Sequence, residues 1–398
     1  MRFGRIKNSF NNVVLSERIF LKCASGQIIR TTSYDTTVSA FLPAPLPPAS
    51  PELDPASFNE LNEKAEKSLA RLSGMSGLVS SSEWLVYSGI RKEALLTSQL
   101  EGTQATLTGI FDKEAGLSVT NVDDVEEVTN YLRAYKFVHD EMNSPSRLPV
   151  CVRLLKNAHQ VLLSGASGAA KQPGEVRTTQ NWIGGTRPGN ASYAPPPPDE
   201  VGSLLSDLEK FIHAPDHTLP PLVRIALVHA QFETIHPFLD GNGRIGRLLI
   251  AMLLEEWKLL NEPLLYVFGY LKQHPRYYYQ CLTDIRTNGN WEQWIAFFLE
   301  AVTYSAEEAQ QGIIRIATLF ADDRKRMLSL KSTSVQSIRL YEFLPTMPKL
   351  TVELLDGTYP TANTAVKRPE EGGVLVETSG RSRHRSYEYR RYVELLRE

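Results

Sequence analysis

Apolar residues recur at intervals of three and four along most of the chain, which predicts a largely helical body. The strongest repeats cover residues 57–75, 82–102, 123–142, 149–163, 199–214, 220–236, 242–260, 274–288 and 290–320. The first begins at Ser57, a favourable N-cap with Glu60 three positions later, and ends near Gly74. Gly102 closes the second. We therefore predict an all-α fold with one interruption, between residues 165 and 198.

The interruption reads TTQNWIGGTRPGNASYAPPPP from residue 178 onward. It places β-forming residues on both sides of a tip that is rich in glycine and proline. This pattern predicts a β-hairpin, followed by a proline-rich clamp that cannot be helical.

The N-terminal region has a different composition. Its first thirty residues contain six Lys or Arg and the single acid Glu17, a bias that is also typical of transit peptides. Neither an apolar stretch nor a cleavage pattern follows, so we interpret residues 1–40 as a disordered N-terminal extension. Residues 41–55 are rich in proline and predict an extended strap, which together with the next helices forms a unit from 41 to 115.

The C-terminal region predicts three helices, the second starting near Pro348, and then two short strands around GVLVET and RSYEYR. Three helices followed by a hairpin is the order of a winged-helix module. We accordingly predict a helical domain over residues 116–320 and a winged-helix-like domain over residues 325–398.

Composition narrows the class of protein. The 398 residues are 42% hydrophobic and carry a formal net charge of −2, which gives no overall attraction to nucleic acid or membranes. The three cysteines, Cys23, Cys151 and Cys281, lie far apart, which favours a reducing compartment and a cytoplasmic protein. The longest apolar runs are too short to span a bilayer, so we expect no membrane partner.

The stretch HPFLDGNGR, residues 236–244, concentrates the candidate chemistry. Gly241 and Gly243 allow unusual backbone angles and close backbone approach, as an anion-binding loop requires. A helix starts near Asn242, so its free N–H groups can face a ligand. These features predict a loop that binds phosphate.

Charged residues flank that loop. Arg244 and Arg247 share one helix face and can grip the same anion, Asp240 is a suitable oxygen ligand for Mg²⁺, and His236 can act as a general base. Each residue alone is more often a helix cap, a turn residue or a solvated arginine. Together they predict phosphoryl or nucleotidyl transfer to a hydroxyl.

The complete pattern HPFxDGNGRxxR, from His236 to Arg247, resembles the signature of Fic domain proteins, which typically transfer AMP from ATP to a hydroxyl of a target protein. The resemblance extends from about Phe41 to the C-terminus. It implies that His236 is the catalytic base and that Asp240 holds Mg²⁺. It also implies that the nucleotide phosphates are bound by Gly241, Asn242, Gly243, Arg244 and Arg247.

The same resemblance gives the predicted hairpin a role. Its edge, Ile183, Gly184 and Gly185, resembles the flap that aligns a target segment by strand addition, although a surface hairpin without function remains an alternative. Phe238 is interpreted as a core plug that fixes the loop. Tyr278 and Tyr279 are left open between nucleotide contact and core packing.

The helix at 82–102 ends in TSQLEG, which resembles the family's inhibitory motif at Thr97, Glu101 and Gly102. The motif implies that Glu101 pairs with Arg247 and occupies the place of the γ-phosphate. An ordinary helix-capping acid is the alternative. In some relatives this glutamate also assists removal of AMP, so a second role for Glu101 is an open expectation.

Several questions stay open at this level. Residues 381–391 hold five arginines and one acid, which suits a phosphate backbone or a protein partner equally. The alternative function is therefore a DNA-binding regulator that uses the Fic core as a nucleotide sensor. The resemblance also leaves open another donor (UTP, GTP or CDP-choline), modification of the chain itself, a homodimer and the identity of the target.

Overall fold

Helices build most of the chain in the computed structural model, which describes residues 19–33, 36–75, 82–165, 169–215, 218–330, 334–355 and 359–397. The helices are α1 (Asn59–Gly74), α2 (Ser82–Leu100), α3 (Leu107–Glu114), α4 (Val122–Asn143), α5 (Val152–Leu162), α6 (Pro198–His213), α7 (Pro221–Ile235), α8 (Asn242–Glu256), α9 (Phe268–Gln273), α10 (Pro275–Asn288), α11 (Trp291–Ser329), α12 (Val335–Phe343), α13 (Tyr359–Glu371) and α14 (Arg390–Arg397). The strands are β1 (Ile19–Cys23), β2 (Gly26–Ser33), β3 (Thr36–Pro43), β4 (Lys349–Thr351), β5 (Val376–Glu377) and β6 (Ser386–Glu388). The predicted all-α body is confirmed, with a small sheet near each end of the chain.

Helix α7 lies at the centre of the core. Nearly all of its residues are buried, because it packs against α6, α8 and α11. The indole N–H of Trp294 in α11 donates a 2.8 Å hydrogen bond to the carbonyl of Ala226 in α7. Helix α8 is also largely buried and contacts α2, α4 and α5. The short loop between α7 and α8 is thus held between two buried helices.

The predicted N-terminal disorder is wrong for residues 19–33 and 36–40, whereas residues 34 and 35 lie outside the described residues. These two ranges contain β1, β2 and most of β3, which form an antiparallel sheet in that order. Val38 and Ala40 are fully buried and pack with Ala194, so the sheet has an apolar face that composition alone did not reveal. Residues 1–18 of the predicted extension lie outside the described residues.

The structure also differs from the prediction of a β-hairpin, because this segment contains no paired strands among its described residues. Between Ala169 and Pro197 the described backbone forms one antiparallel bridge, Ile183 with Tyr193, and two short 3₁₀ turns, Ala169–Lys171 and Pro188–Asn190. Prolines and glycines in this stretch remove donors and favour turns, so the pairing does not extend into strands. We call residues 181–194 the flap.

In the C-terminal region one more predicted element is wrong. The helix predicted near Pro348 is instead strand β4, which pairs with β6, and β6 pairs with β5. The two predicted terminal strands are present. Helix α11 runs unbroken from Trp291 to Ser329 and so crosses the boundary predicted between residues 320 and 325. The winged-helix assignment stays a prediction.

Of the helices in the described ranges, none combines the length and the apolar character that crossing a bilayer requires.

Candidate active site

His236 directly follows the last residue of α7. Its backbone is left-handed, with φ at 51°, and its N–H closes the helix on the carbonyl of Phe232 at 2.9 Å. Burial and then the nearby positive charge of Arg177 lower the pKa of His236 to about 4. The imidazole is therefore neutral at pH 7 and able to accept a proton.

Two residues fix the loop after His236. The N–H of Phe238 donates to Oδ1 of Asn242 and Nδ2 of Asn242 donates back to the carbonyl of Phe238, both at 2.8 Å. Phe238 is buried and stacks on the ring of His159, with centroids 3.9 Å apart, which confirms it as a core plug. Asn242 is only 2% exposed. Its side chain closes the loop, so any contact of Asn242 with phosphate falls to its backbone N–H.

His159, on α5, is a supporting residue that the sequence did not reveal. Its Nδ1 accepts a 2.9 Å hydrogen bond from the N–H of Gly174, so its proton is on Nε2, which lies 3.0 Å from the carbonyl of Asp240. Burial lowers the pKa of His159 to about 4, which keeps the ring neutral. A lone histidine in an amphipathic helix gives no signal of this role.

The start of α8 has the form that anions favour. Gly241 is the N-cap with φ at 76°, and the helix begins at Asn242. The N–H groups of the first turn have no partner within the helix, and the helix dipole adds partial positive charge there. The loop 236–242 and this helix start lie together as the sequence predicts.

Both predicted arginines are buried and ion-paired. Nη1 of Arg244 lies 2.9 Å from Oε1 of Glu127 on α4, and its Nη2 lies 3.6 Å from Oδ1 of Asp240. Arg247 is 1% exposed and pairs with Glu101. Burial opposes the charge of Arg247, but the adjacent carboxylates raise the pKa of its guanidinium above the usual value.

The Glu101 pair lies at the mouth of the loop. Oε1 of Glu101 accepts a hydrogen bond from Nη2 of Arg247, and the same Nη2 lies 3.3 Å from the carbonyl of Thr97. Oε1 also occupies the space where a β-carbon on Gly243 would lie. Burial raises the pKa of Glu101, but Arg247 outweighs that effect and the pKa is lowered. Glu101, followed by the left-handed Gly102, thus covers the N-terminus of α8.

Arg177 is the second residue that the sequence did not reveal. It is 1% exposed, and its guanidinium donates to the backbone carbonyls of His236 (2.8 Å) and Pro196 (2.6 Å). Its own N–H donates to the carbonyl of Pro237 at 2.9 Å. Arg177 therefore joins Pro196, two residues after the flap, to the loop at His236. Burial lowers the pKa of Arg177 to about 10.

The flap contains Ile183, Gly184 and Gly185, the residues predicted to align a target segment. Ile183 is 41% exposed and exchanges two backbone hydrogen bonds with Tyr193, of 2.8 and 3.1 Å. Gly184 and Gly185 have φ values of 68° and 72°. A β-carbon on Gly185 would collide with the backbone of Asn190. Both glycines are required by this turn. The backbone N–H and C=O of Ile183 are used by Tyr193, so its exposure is that of the side chain.

Asp240 is the predicted metal ligand. Its Oδ2 lies 3.6 Å from Nζ of Lys171, and its side chain is half-exposed. In the described part of the chain, no group of three or more His, Cys, Asp or Glu could hold a metal by itself. A single carboxylate suits Mg²⁺, which usually combines one or two protein oxygens with substrate phosphates. The donor set therefore fits the ion.

Tyr278 and Tyr279, whose roles the sequence left open, differ in their exposure to solvent. Tyr278 is 1% exposed and its hydroxyl lies 2.9 Å from Nε2 of the buried His229, so it is a core residue. Tyr279 is 49% exposed.

Comparisons with known proteins agree with this geometry. Residues 149–254 match the family model described as Fic/DOC family, and residues 59–140 match the Fic/DOC family N-terminal model. A Fic family protein from Desulfovibrio desulfuricans has a similar fold, with a TM-score of 0.56 and 22% identity over 85% of this chain and 96% of that one.

Curated relatives share a shorter segment. The proteins named protein adenylyltransferase Fic from Drosophila yakuba and Drosophila melanogaster are each 27% identical over 160 residues. These matches cover 39% of this chain and only 30% of either relative. The two matched family segments enclose α2 with Glu101 and the loop from His236 to Arg247. The chain thus carries two segments, residues 59–140 and 149–254, that match models of the Fic/DOC family.

Proposed function

We propose that the protein is an adenylyltransferase that moves AMP from ATP to a hydroxyl of a protein, and that Glu101 restrains it. The observation that carries the proposal is the joint position of a neutral His236, the helix start at Asn242, which has no side-chain cap, and the Arg247–Glu101 pair. The name of the Drosophila relatives supports the same activity.

The reaction follows from these residues. The target hydroxyl attacks the α-phosphorus of ATP, its proton passes to His236, and the bond from the α-phosphorus to the leaving diphosphate breaks. The N–H groups at the start of α8 stabilise the charge that develops on the α-phosphate. Arg244 and Arg247 bind the β- and γ-phosphates. The products are the AMP ester and diphosphate.

Asp240 would hold Mg²⁺, which supplies charge neutralisation of the phosphates when bound. Lys171 and Arg244 lie 3.6 Å from its two oxygens. The Asp240 carboxylate therefore lies in a cluster with two basic side chains, next to the start of α8 that we propose binds phosphate.

The restraint follows from shared space. Glu101 accepts a hydrogen bond from Nη2 of Arg247 and lies over Gly243, at the helix start. A γ-phosphate there would have to displace a carboxylate of like charge. ATP can then bind only with its phosphates away from the attacking hydroxyl.

Transfer from ATP labelled at the α-phosphate tests both parts. We expect Glu101→Gly to raise incorporation into protein, the chain itself included, at least about tenfold over wild type, because one charge-assisted bond and its like-charge conflict are removed. Adding His236→Ala to Glu101→Gly should abolish incorporation. Mass spectrometry of the labelled protein then identifies the donor group and the target.

Glu256→Gly is the matched control. Glu256 ends α8 and pairs with Nη2 of Arg147 at 2.7 Å, so it is also a helix-terminal acid in an arginine pair. It should leave incorporation at the wild-type level. Equal labelling of wild type and Glu101→Gly would overturn the restraint, and labelling that survives His236→Ala would overturn the mechanism.

The rival function, a DNA-binding regulator, has less support. Three arginines of residues 381–391 face carboxylates: Arg385 lies 3.9 Å from Glu370, Arg390 3.6 Å from Glu388 and Arg391 2.5 Å from Asp323. Such pairs reduce the positive charge offered to a phosphate backbone. A gel shift that survives His236→Ala, with no transfer to any protein, would favour the regulator.

A further inference from the structure

A cavity of about 400 Å³ lies between α2, α9, α11 and α14, apart from the residues of the candidate active site. Its apolar lining includes Leu85, Leu96, Leu264, Ile313, Ile316 and Leu396. Ligand sites of this size are typically apolar with a few polar groups. The C-terminal helix α14 thus helps to enclose a small-molecule space beside the helix that ends next to Glu101.

Basic residues surround this space. Lys272, Arg315 and Arg397 line it and are exposed, and Lys92 also lines it, whereas Glu308 is its single acid. Lys272 and Arg397 hydrogen-bond to neutral groups, the side chains of Gln99 and Thr108. Their positive charge is therefore not neutralised by these partners. A space with apolar walls and a basic rim complements an amphipathic anion.

A buried hydroxyl adds a second observation. Ser305 lines the cavity and is 5% exposed, and among the residues that the structure describes none hydrogen-bonds its Oγ. An unpaired buried hydroxyl costs free energy unless a ligand or water satisfies it.

We propose that this cavity binds an amphipathic carboxylate, with its apolar chain against the leucines and isoleucines and its charge at the Lys272 and Arg315 rim. The volume lies within the range of about 300–1,000 Å³ that is usual for ligand pockets, and octanoate is a simple probe of this class. The space is preformed in the arrangement in which Glu101 pairs with Arg247. A ligand that binds this arrangement better than any other must stabilise it.

Helix α2 links the cavity to the candidate active site. Leu85, Gly89, Lys92 and Leu96 follow at helical spacing and line the cavity from one face of α2. Gly89 lies so close to Tyr266 that a β-carbon would overlap the phenol ring. The bound carboxylate therefore holds α2 in place and reinforces the restraint, a consequence that rests on the proposed function.

Isothermal titration with octanoate tests the binding site. Gly312 lines the cavity on α11 and a β-carbon there would meet no atom within 4 Å, so the side chain of Gly312→Leu starts in open space. Gly202→Leu on α6 is the matched control, because a β-carbon there also meets no atom within 4 Å. We expect one octanoate per chain in wild type and Gly202→Leu, and at least about tenfold weaker binding in Gly312→Leu.

The contribution of the Arg315 charge and the coupling of the cavity to α2 are tested by separate measurements. Arg315→Met should weaken octanoate binding but not the binding of octan-1-ol, which has no charge. Amide hydrogen exchange in residues 83–100 should slow when octanoate binds. Equal binding by the two leucine variants, or an unchanged affinity in Arg315→Met, would overturn the site, and unchanged exchange in α2 would overturn the coupling. None of these measurements uses ATP, so failure of the transferase proposal would appear only in the labelling experiment.

Discussion

The loop from His236 to Asn242 and the flap are both closed by an asparagine amide, but in different surroundings. Asn242 binds both backbone groups of Phe238 and is buried. Asn190 accepts hydrogen bonds from the N–H groups of Thr186 and Arg187, both at 3.0 Å, and is exposed. Water can replace the bonds of Asn190 but not those of Asn242. The loop proposed to carry the chemistry is thus fixed by a buried side chain, whereas the exposed turn of the flap, proposed to meet the target, can rearrange more easily.

The largest expected effect is on stability, and it differs between substitutions of Asn242 and of Asn190. Asn242→Ala leaves the buried N–H of Phe238 without a partner and should lower the free energy of unfolding by about 2 kcal/mol. Asn190→Ala should lower it by less than about 0.5 kcal/mol, because its groups become solvated. Urea denaturation of both variants measures the difference. Equal losses would show that the flap is as constrained as the loop.

A glycine in the flap tests target alignment alone. Gly185→Ala combines a positive φ with a collision at Asn190, so the flap edge must shift. In the Glu101→Gly background we expect the KM for the target to rise about tenfold while the KM for ATP is unchanged. Gly116→Ala, with φ at 69° and open space at the β-carbon, is the control. A rise in the KM for ATP would mean that the flap also shapes the nucleotide site.

The smallest effect concerns Arg177, which joins the loop to Pro196, just after the flap. Burial and the charge of Arg177 hold the pKa of His236 at about 4, so the base is neutral above that pH and transfer falls as pH drops through it. In the Glu101→Gly background, Arg177→Met should move this acid limb to higher pH, because a charge that disfavours imidazolium is lost. Arg177→Lys keeps the charge and should move it less. An acid limb that moves in neither variant would reduce Arg177 to a packing role.

Much of the candidate site could be predicted because its residues are neighbours in sequence. His236, Asp240, Arg244 and Arg247 lie within twelve residues, so one turn and one helix bring them together. The pairing of Arg247 with Glu101, separated by 146 residues, was predicted only through the family's motif, and the structure contains it. The roles of His159 and Arg177 arise from backbone carbonyls that meet only after folding, and no periodicity marks them.

The sequence also predicted helices better than strands. Helices such as α7 and α8 carry long apolar repeats, whereas the sheet of β1, β2 and β3 has few strongly alternating positions and depends on Val38 and Ala40 meeting Ala194 in the flap. Strand β4 is only three residues long and is set by pairing with β6, about 37 positions away. Tertiary contacts of this kind determine strands and leave little local signal.

A double-mutant cycle on Glu101 and Arg247 tests the restraint most directly. Incorporation of labelled AMP is measured in wild type, Glu101→Gly, Arg247→Ala and the double variant, at the same concentrations of Mg²⁺ and ATP. If Glu101 acts by occupying Arg247, Glu101→Gly raises incorporation at least about tenfold when Arg247 is present and has little effect when it is absent. An equal increase in both backgrounds would contradict the pairing as the basis of the restraint.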